Sequence, residues 1–239
     1  MTFVIAQGPV IPEFEHASDC IRQNKQFCAG WFVDNFDRVF VPRLVEHVEL
    51  TAIAVGIGFT IAFTAALIAY SGGWFETPFA ILAAFLYTIP SLAFFQLLVP
   101  ITGLTVTSAE IALVSYTLLI LFRNTLTGLR EVPEDARTAA LAMGLTKGQI
   151  LRRVELPLAL PAIMAGIRIA TVTTISLATV AAFIGVGGLG QPIFNAIQSG
   201  FKTQFVAAGL LAVALALVAD ALLVLLQRWL APWTRARRA

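Results

Sequence analysis

Residues 48–69 read VELTAIAVGIGFTIAFTAALIA, an apolar run whose one charge, Glu49, stands near its start. No Asp, Glu, Lys or Arg follows until Glu76. Two more charge-free intervals occur later in the chain, at residues 77–109 and 169–201. Each interval is long enough for the roughly 20 apolar residues with which a helix crosses a bilayer. The sequence therefore predicts a protein embedded in a membrane.

The overall composition agrees with this prediction. Of the 239 residues, 58% are hydrophobic and 13% are charged, and the mean hydropathy is +0.84. Soluble domains carry about 25% charged residues. The net charge of +2 is small, and the basic residues lie near the predicted membrane boundaries, where such residues set topology. A nucleic-acid partner is not expected.

The apolar runs and their breaks predict an all-α integral membrane protein with about five transmembrane helices. Residues 1–43 form a polar N-terminal segment, residues 44–230 the transmembrane domain, and residues 231–239 a basic tail. One long charged connection, residues 127–160, is called the elbow. The predicted spans are 44–69, 78–98, 109–126, 161–183 and 205–226.

Basic residues concentrate on one side of this arrangement. They fall in the elbow and its borders and in the C-terminal tail: Arg123, Arg130, Arg137, Lys147, Arg152, Arg153, Arg168, Arg228, Arg235, Arg237 and Arg238. Because Lys and Arg are enriched in cytoplasmic loops, the elbow and the C-terminus are predicted to be cytoplasmic and the N-terminus outside.

The N-terminal segment contains both cysteines, Cys20 and Cys28. An oxidising outer compartment would allow them to form a structural disulfide. The alternative is two free thiols in a flexible arm.

The elbow carries signals for two short helices. Pro133 can begin a helix, with Glu134 and Asp135 facing its positive end, and Gly144 can end it. Thr146 opens a second helix with Gln149 at the spacing of a capping box, and this helix is expected to end near Leu156-Pro157. The elbow is either a lever for a soluble motor or a plain connector.

The elbow also resembles a family pattern. Thr138-Ala139-Ala140, then Gly144, then Val154-Glu155-Leu156-Pro157 is similar to the EAA loop of permease subunits of binding-protein-dependent ABC importers, although Thr138 stands where the family most often has Glu. The resemblance implies a type I importer permease fold in the inner (plasma) membrane of a prokaryote. It also implies contact with an ATPase by Glu134, Asp135, Ala136, Thr138, Ala139, Ala140, Gly144, Leu145, Lys147, Leu156 and Pro157.

Three further stretches resemble the osmoprotectant or quaternary-amine branch of these importers. They are residues 87–93, Arg123-Asn124 and residues 183–190. The resemblance implies transport of glycine betaine, choline, carnitine or a related cation. The methionine-importing branch is the nearest alternative.

A translocation pathway is expected around Pro90, which removes a backbone hydrogen bond in mid-span and favours a kink. Aromatic rings nearby, including Phe94 and Phe95, could hold a quaternary ammonium by cation–π attraction, or could simply pack. The hydroxyls of Thr88 and Ser91 could face the pathway or satisfy freed backbone groups. The pathway candidates are Tyr87, Thr88, Pro90, Ser91, Tyr116, Arg123 and Asn124.

The resemblance implies two ATPase subunits, a second permease (identical or related) and an extracellular solute-binding protein as partners in the lipid membrane. No phosphate-binding Gly-Lys-Ser/Thr loop occurs, so ATP and Mg²⁺ are expected on the ATPase, and neither an enzymatic activity nor a cofactor or metal is expected of this chain. A motor-free channel or secondary transporter and a membrane-embedded enzyme are the alternatives from other classes.

Three other features carry local predictions. Residues 185–190, GVGGLG, match the dinucleotide fingerprint, but no strand precedes them, so a tight turn at the outer surface is expected. Asp220 lies well inside a span and is expected to pair with an Arg of the elbow, with a place in the pathway as the alternative. Glu110 is expected at the outer membrane interface, and His16 and His47 are isolated.

Overall fold

The structure, a computed structural model, describes residues 18–234, and these residues form helices and connecting turns without a strand. The predicted residues outside that range include His16, Arg235, Arg237 and Arg238. The α-helices are α1 Asp19–Arg22, α2 Ala29–Asn35, α3 Val41–Gly72, α4 Glu76–Thr88, α5 Ser91–Thr102, α6 Val106–Arg130, α7 Glu134–Ala142, α8 Lys147–Ile150, α9 Leu156–Val180, α10 Gly190–Ser199 and α11 Lys202–Leu230.

Four continuous helical segments in residues 18–234 are long and apolar enough to cross a membrane: Ala29–Gly72, Val106–Arg130, Lys147–Ile184 and Lys202–Leu230. The pair α4 and α5 is bent by 99° and makes a fifth span if it is counted as one. The number of spans agrees with the sequence prediction once the bent pair is counted.

Helix α6 lies at the centre of the bundle, between α3 and α9. Small residues allow these helices to approach closely, which is the usual way in which helices pack in membranes. A Cβ atom on Gly58 of α3 would lie 1.9 Å from Thr117 Oγ1 of α6. A Cβ on Gly166 of α9 would lie 2.6 Å from the Cβ of Asn124.

The two ends of the bundle differ in what they carry. The elbow end holds the elbow, and here Arg130 at the end of α6 forms an ion pair with Glu76 at the start of α4. The opposite end is called the disulfide end, because Cys20 and Cys28 are joined there by a disulfide. Helix α3, with 32 residues, runs from one end to the other over about 48 Å.

The N-terminal residues from Ser18 onward are fastened to the bundle at the disulfide end. Asn24 donates from Nδ2 to Gly200 O at 2.7 Å and accepts from the Lys202 N–H at 3.1 Å. The Cys28 N–H donates to Thr203 Oγ1 at 3.0 Å. The described part of this segment is therefore packed on the turn between α10 and α11 and is not a flexible arm.

Helix boundaries differ from the sequence prediction in three places. Residues 29–43, predicted as part of a polar segment, form α2 and a π-helical stretch that lead directly into α3. Helix α5 continues through Pro100 to Thr102, beyond the predicted end of the second span at residue 98. The fourth span begins before Pro161, because α8 continues through a π-helical stretch, Leu151–Glu155, into α9.

Asp220 pairs with a different arginine from the one expected. Arg168 donates from Nε and Nη2 to the two carboxylate oxygens at 2.7 and 2.9 Å. Arg168 lies on α9, inside the fourth span, and not in the elbow. Counted from the elbow end, Arg168 lies 12 residues after Leu156 and Asp220 lies 10 residues before Leu230. The two charges therefore lie at a similar depth in the bundle.

Candidate functional site

The elbow forms a helix and a sharp turn that the sequence encodes locally. Helix α7 starts after Pro133. It ends near Gly144, whose φ of +78° favours glycine. Thr146 then caps α8 in a capping box, since its Oγ1 accepts from the Gln149 N–H while Gln149 Oε1 accepts from the Thr146 N–H. The second elbow helix does not end at Leu156-Pro157 as predicted, because it continues into α9 through the π-helical stretch Leu151–Glu155, which ends two residues before Pro157.

A buried ion pair fastens α7 to the bundle. Arg137 donates from Nε to Glu155 Oε1 at 2.9 Å, and the Tyr70 hydroxyl of α3 donates to the same oxygen at 2.7 Å. Arg137 also donates from Nη2 to Leu129 O at the end of α6, at 2.8 Å. One guanidinium thus connects the elbow to α3, α6 and the start of α9.

Electrostatics keep this arginine charged. Partial burial acts against the charged form, but Tyr70, Glu155 and Glu134 together raise the pKa of Arg137 above its ordinary value. The sequence analysis did not predict this network, in which the buried carboxylate comes from Glu155 of the Val154-Glu155-Leu156-Pro157 stretch.

The far side of α7 presents apolar side chains to the surroundings. Leu141 is 57% exposed and Met143 is 71% exposed, at the tip of the elbow. An exposed apolar tip rimmed by polar residues is typical of a protein-binding surface.

The predicted elbow residues divide by exposure. Ala140 is buried, and Ala136, Leu145, Leu156 and Pro157 are half-buried. The exposed members are Glu134, Asp135, Thr138, Ala139, Gly144 and Lys147.

The predicted second span is broken at Ile89-Pro90. Ile89 has an extended backbone with ψ of 127°, as expected for a residue before proline. Its carbonyl oxygen, left without a helical donor, accepts a hydrogen bond from the Tyr116 hydroxyl of α6. Tyr116, and not Ser91, therefore satisfies the backbone at the break, while Thr88 donates to Phe85 O of its own helix at 2.7 Å.

Aromatic rings surround Tyr116. The ring centroids of Tyr87 and Tyr116 are 6.0 Å apart, and those of Phe94 and Tyr116 are 5.8 Å apart, both edge to face. Phe95 is fully buried and serves packing. Tyr87, Phe94 and Tyr116 are called the aromatic cluster.

Two other pathway candidates lie away from this cluster. Arg123 and Asn124 follow Tyr116 by two turns of α6, about 10 Å towards the elbow end. Asn124 packs on Gly166 and donates to Ile120 O of its own helix, and Arg123 is exposed on the side of α6. The structure brings Tyr87, Pro90 and Tyr116 together but not Arg123 and Asn124.

The glycine turn, residues 185–190, follows the end of α9 at the disulfide end, and its residues are buried apart from Gly185. Its place at the outer surface of the membrane stays a prediction. A Cβ on Gly187 would lie 2.4 Å from Ala182 N, and one on Gly190 would lie 2.1 Å from Thr179 O. The glycines allow close packing against α9, and no strand stands before them as a dinucleotide site requires.

His47 is the second residue that the sequence analysis missed. It is fully buried in α3, where its Nε2 lies 2.9 Å from Ile175 O and its Nδ1 accepts from the Leu189 N–H at 3.2 Å. The position of His47, two residues before Glu49, does not predict this role, because its contacts Ile175 and Leu189 are distant in the chain. Glu110 lies in the second turn of α6, half-buried, and neither carboxylate oxygen has a hydrogen-bond partner within residues 18–234.

The sequence matches a family model described as "Binding-protein-dependent transport system inner membrane component" over residues 55–236. Two curated proteins illustrate the similarity. The osmoprotectant import permease protein OsmW of Salmonella typhimurium is 39% identical over 78% of this chain and 89% of its own length. The glycine betaine/carnitine/choline transport system permease protein OpuCD of Bacillus subtilis is 35% identical over 85% of this chain and 86% of its own.

Among solved structures, a chain of the MetNI methionine ABC transporter, in an inward-facing conformation, has the same fold. The TM-score is 0.71 with 22% sequence identity, and the match covers 80% of this chain and 96% of that chain. At this identity the likeness concerns the fold alone, which is that of a type I importer permease.

Proposed function

The chain belongs to the family of binding-protein-dependent transport system inner membrane components, and we propose that it is the permease subunit of an ATP-driven type I importer for osmoprotectants and quaternary amines. Glycine betaine, choline and carnitine are the expected solutes. Methionine is the competing solute class, and the similarity to a methionine transporter, at 22% identity, concerns the fold.

The observation that carries the proposal is the way the elbow is built. Its apolar tip, Leu141 and Met143, is exposed, while its base is fixed to three helices through Arg137. A force applied at the tip is therefore transmitted to the bundle, because the guanidinium contacts are charge-assisted and stronger than neutral ones. A channel that works without a motor would not need an elbow that is fixed to the bundle in this way.

The partners follow from this role. Two ATPase subunits, which hold ATP and Mg²⁺, would receive the elbow tips of this chain and of a second permease subunit, identical or related. An extracellular solute-binding protein would deliver the solute at the disulfide end. This assignment places the elbow and the C-terminus in the cytoplasm and the N-terminus outside.

The aromatic cluster supports a cationic solute. Quaternary ammonium groups bind to ring faces within about 6 Å by cation–π attraction. Tyr87 is 40% exposed beside the break of the second span, and Phe94 and Tyr116 are buried next to it. The backbone there is irregular, as expected only where it is buried in protein or lines a pathway.

Co-purification of the partner ATPase tests the proposal. The tagged chain is extracted gently from its native membranes, and associated proteins are identified by mass spectrometry. We expect an ATPase in stoichiometric amount, its loss in the variant Met143→Asp, and its retention in the control Leu104→Asp, which changes an equally exposed leucine at the disulfide end.

Two results would contradict the proposal. One is a chain that is repeatedly recovered intact, folded and alone. The other is an ATPase that remains bound in Met143→Asp, which would show that the elbow tip is not its contact.

A further inference from the structure

The glycine turn contacts a buried polar side chain, His47. The Leu189 N–H of the turn donates to His47 Nδ1 at 3.2 Å, and His47 Nε2 lies 2.9 Å from Ile175 O of α9. The ring is fully buried, so both contacts are made out of water. His47 thereby connects α3, α9 and the turn.

These two contacts determine the protonation state of the ring. A backbone N–H can only donate, so Nδ1 must carry a lone pair. A backbone carbonyl can only accept, so Nε2 must carry the hydrogen. The neutral Nε2–H tautomer satisfies both of these contacts, whereas a proton on Nδ1 would point at the Leu189 N–H; the backbone of Gly187 also lies within hydrogen-bonding reach of the ring.

The glycine turn packs tightly against α3. A Cβ on Gly188, whose φ is +47°, would lie 2.6 Å from the Cβ of His47 and 2.7 Å from Arg43 O. The backbone of the turn thus contacts the histidine directly as well as through the hydrogen bond. The turn therefore lies directly on the backbone of α3 at His47.

The turn is also part of the core that contains the aromatic cluster. Val186 of the turn and Ile184 just before it pack in one buried group with Phe94 and Tyr116. Ile89, at the break of the second span, lies against the same group. The position of the turn therefore bears on the region proposed as the pathway.

From these contacts we propose that His47, in its neutral Nε2–H form, is the positioning residue that holds the glycine turn against the broken span, and that protonation of the ring releases the turn. This inference rests on the proposed transport function. It predicts that import is inhibited by acid on the disulfide side of the membrane.

The titratable groups on the elements around His47 are few. On its own helix they are Glu46, which pairs with Arg43 at 2.8 Å, and Glu49. Helix α6, which also packs on α3, carries the half-buried Glu110 in its second turn. Neither the facing stretch of α9, residues 171–180, nor the glycine turn nor α10 contains a titratable residue. Histidine is the side chain whose charge ordinarily changes between about pH 5 and 8.

The test uses the complete transporter, with its ATPase and solute-binding protein, in proteoliposomes whose disulfide side is exposed to buffers from about pH 7.5 to about pH 5.5. We expect uptake by the unchanged protein to fall about tenfold across this range, as for one buried donor left unpaired. His47→Asn places an amide oxygen where Nδ1 was and does not titrate, so it should keep most of the uptake at pH 7.5 and lose the pH dependence. His47→Gln should show low uptake at both pH values, because its amide group reaches Ile175 O and leaves the Leu189 N–H without a partner.

The control is Thr51→Ala. Thr51 is a buried residue one turn further along α3, and its Oγ1 donates to His47 O at 2.8 Å within the helix. This variant should keep the pH profile of the unchanged protein. An identical pH profile in the unchanged protein and His47→Asn, with uptake present in both, would overturn the inference and leave the transport function standing. Absence of uptake in the unchanged protein would instead contradict the proposed function.

A second measurement does not depend on transport. In a His16→Gln background, His47 is the remaining histidine, and nitrogen NMR of the labelled imidazole reports its tautomer. We expect the Nε2–H form at pH 8, and observation of the Nδ1–H form would overturn the inference.

Discussion

Arg137 and Glu155 form an ion pair at 2.9 Å whose side chains are 21% and 8% exposed, and this pair joins the elbow helix to the start of the fourth span. The Tyr70 hydroxyl donates to the same Glu155 oxygen at 2.7 Å. Because the pair spans two parts of the chain that a motor would move together, it is the contact on which coupling should depend.

Replacing Glu155 with Gln should uncouple ATP hydrolysis from transport. It removes the nearer carboxylate partner of Arg137 and leaves Glu134 at 3.3 Å. The loss should therefore be smaller than the cost of removing one partner of a fully buried pair, about 3–5 kcal/mol. Uptake should fall by at least about tenfold, while the ATPase remains bound through the exposed tip. Uptake and ATP hydrolysis are measured together in proteoliposomes, with Arg152→Gln, a change of an exposed elbow residue, as the control. Full coupling in Glu155→Gln would contradict this role.

Replacing Tyr116 with Phe should impair transport without loss of the bundle. The change keeps the ring, and so the contacts with Tyr87 and Phe94, but leaves Ile89 O unpaired at the break. An unsatisfied buried carbonyl costs about 1–3 kcal/mol. We expect lower maximal uptake and a broken span that is more open to protease, whereas Tyr87→Phe, as the control, should behave like the unchanged protein. Equal uptake in all three proteins would show that the bond has no role in transport.

Replacing Asp220 with Asn should destabilise the bundle more than it affects coupling. Arg168 holds Asp220 through two hydrogen bonds, but the side chains are 33% and 35% exposed, so the loss should be smaller than for a fully buried pair. Thermal unfolding in detergent measures it. The exchange Arg168→Asp with Asp220→Arg should recover part of the loss. A double variant no more stable than Asp220→Asn would argue against a direct pair.

Labelling of Cys20 should show the orientation of the chain. In a Cys28→Ser variant Cys20 is a free, half-buried thiol at the disulfide end. A membrane-impermeant maleimide should label it in intact cells. Cysteine introduced at the exposed elbow residue Thr146, in a cysteine-free chain, should be labelled only after permeabilisation. The reverse pattern would place the elbow outside and contradict the proposed docking of a cytoplasmic ATPase.

The sequence predicts the parts of this fold that depend on local chemistry. Charge-free runs give the spans because a bilayer excludes charges over a fixed length. Gly144 and the Thr146–Gln149 capping box give the shape of the elbow because each acts within a few residues. The residues expected to contact the ATPase follow from the family pattern. They lie on the elbow because that pattern, too, is local in the sequence.

The parts that the sequence does not predict depend on contacts between distant segments. His47 contacts Leu189, 142 residues away, and Tyr70 contacts Glu155, 85 residues away. Pro90 predicts an interruption of the helix. It does not predict the 99° bend, at which the Tyr116 hydroxyl of another helix donates a hydrogen bond to Ile89 O. The partner of Asp220 depends on the relative depth of α9 and α11, which hydropathy does not fix.

The central claim is that this chain, together with its ATPase, imports a quaternary amine. The most direct measurement is uptake of labelled glycine betaine, choline and carnitine, with methionine for comparison, by proteoliposomes containing the complete transporter, with and without ATP. The account predicts accumulation of at least one quaternary amine only with ATP, and its loss in Gly144→Val, since Gly144 has a φ of +78° that a β-branched residue rarely adopts. Uptake that proceeds equally without ATP, or accumulation of methionine alone, would contradict it.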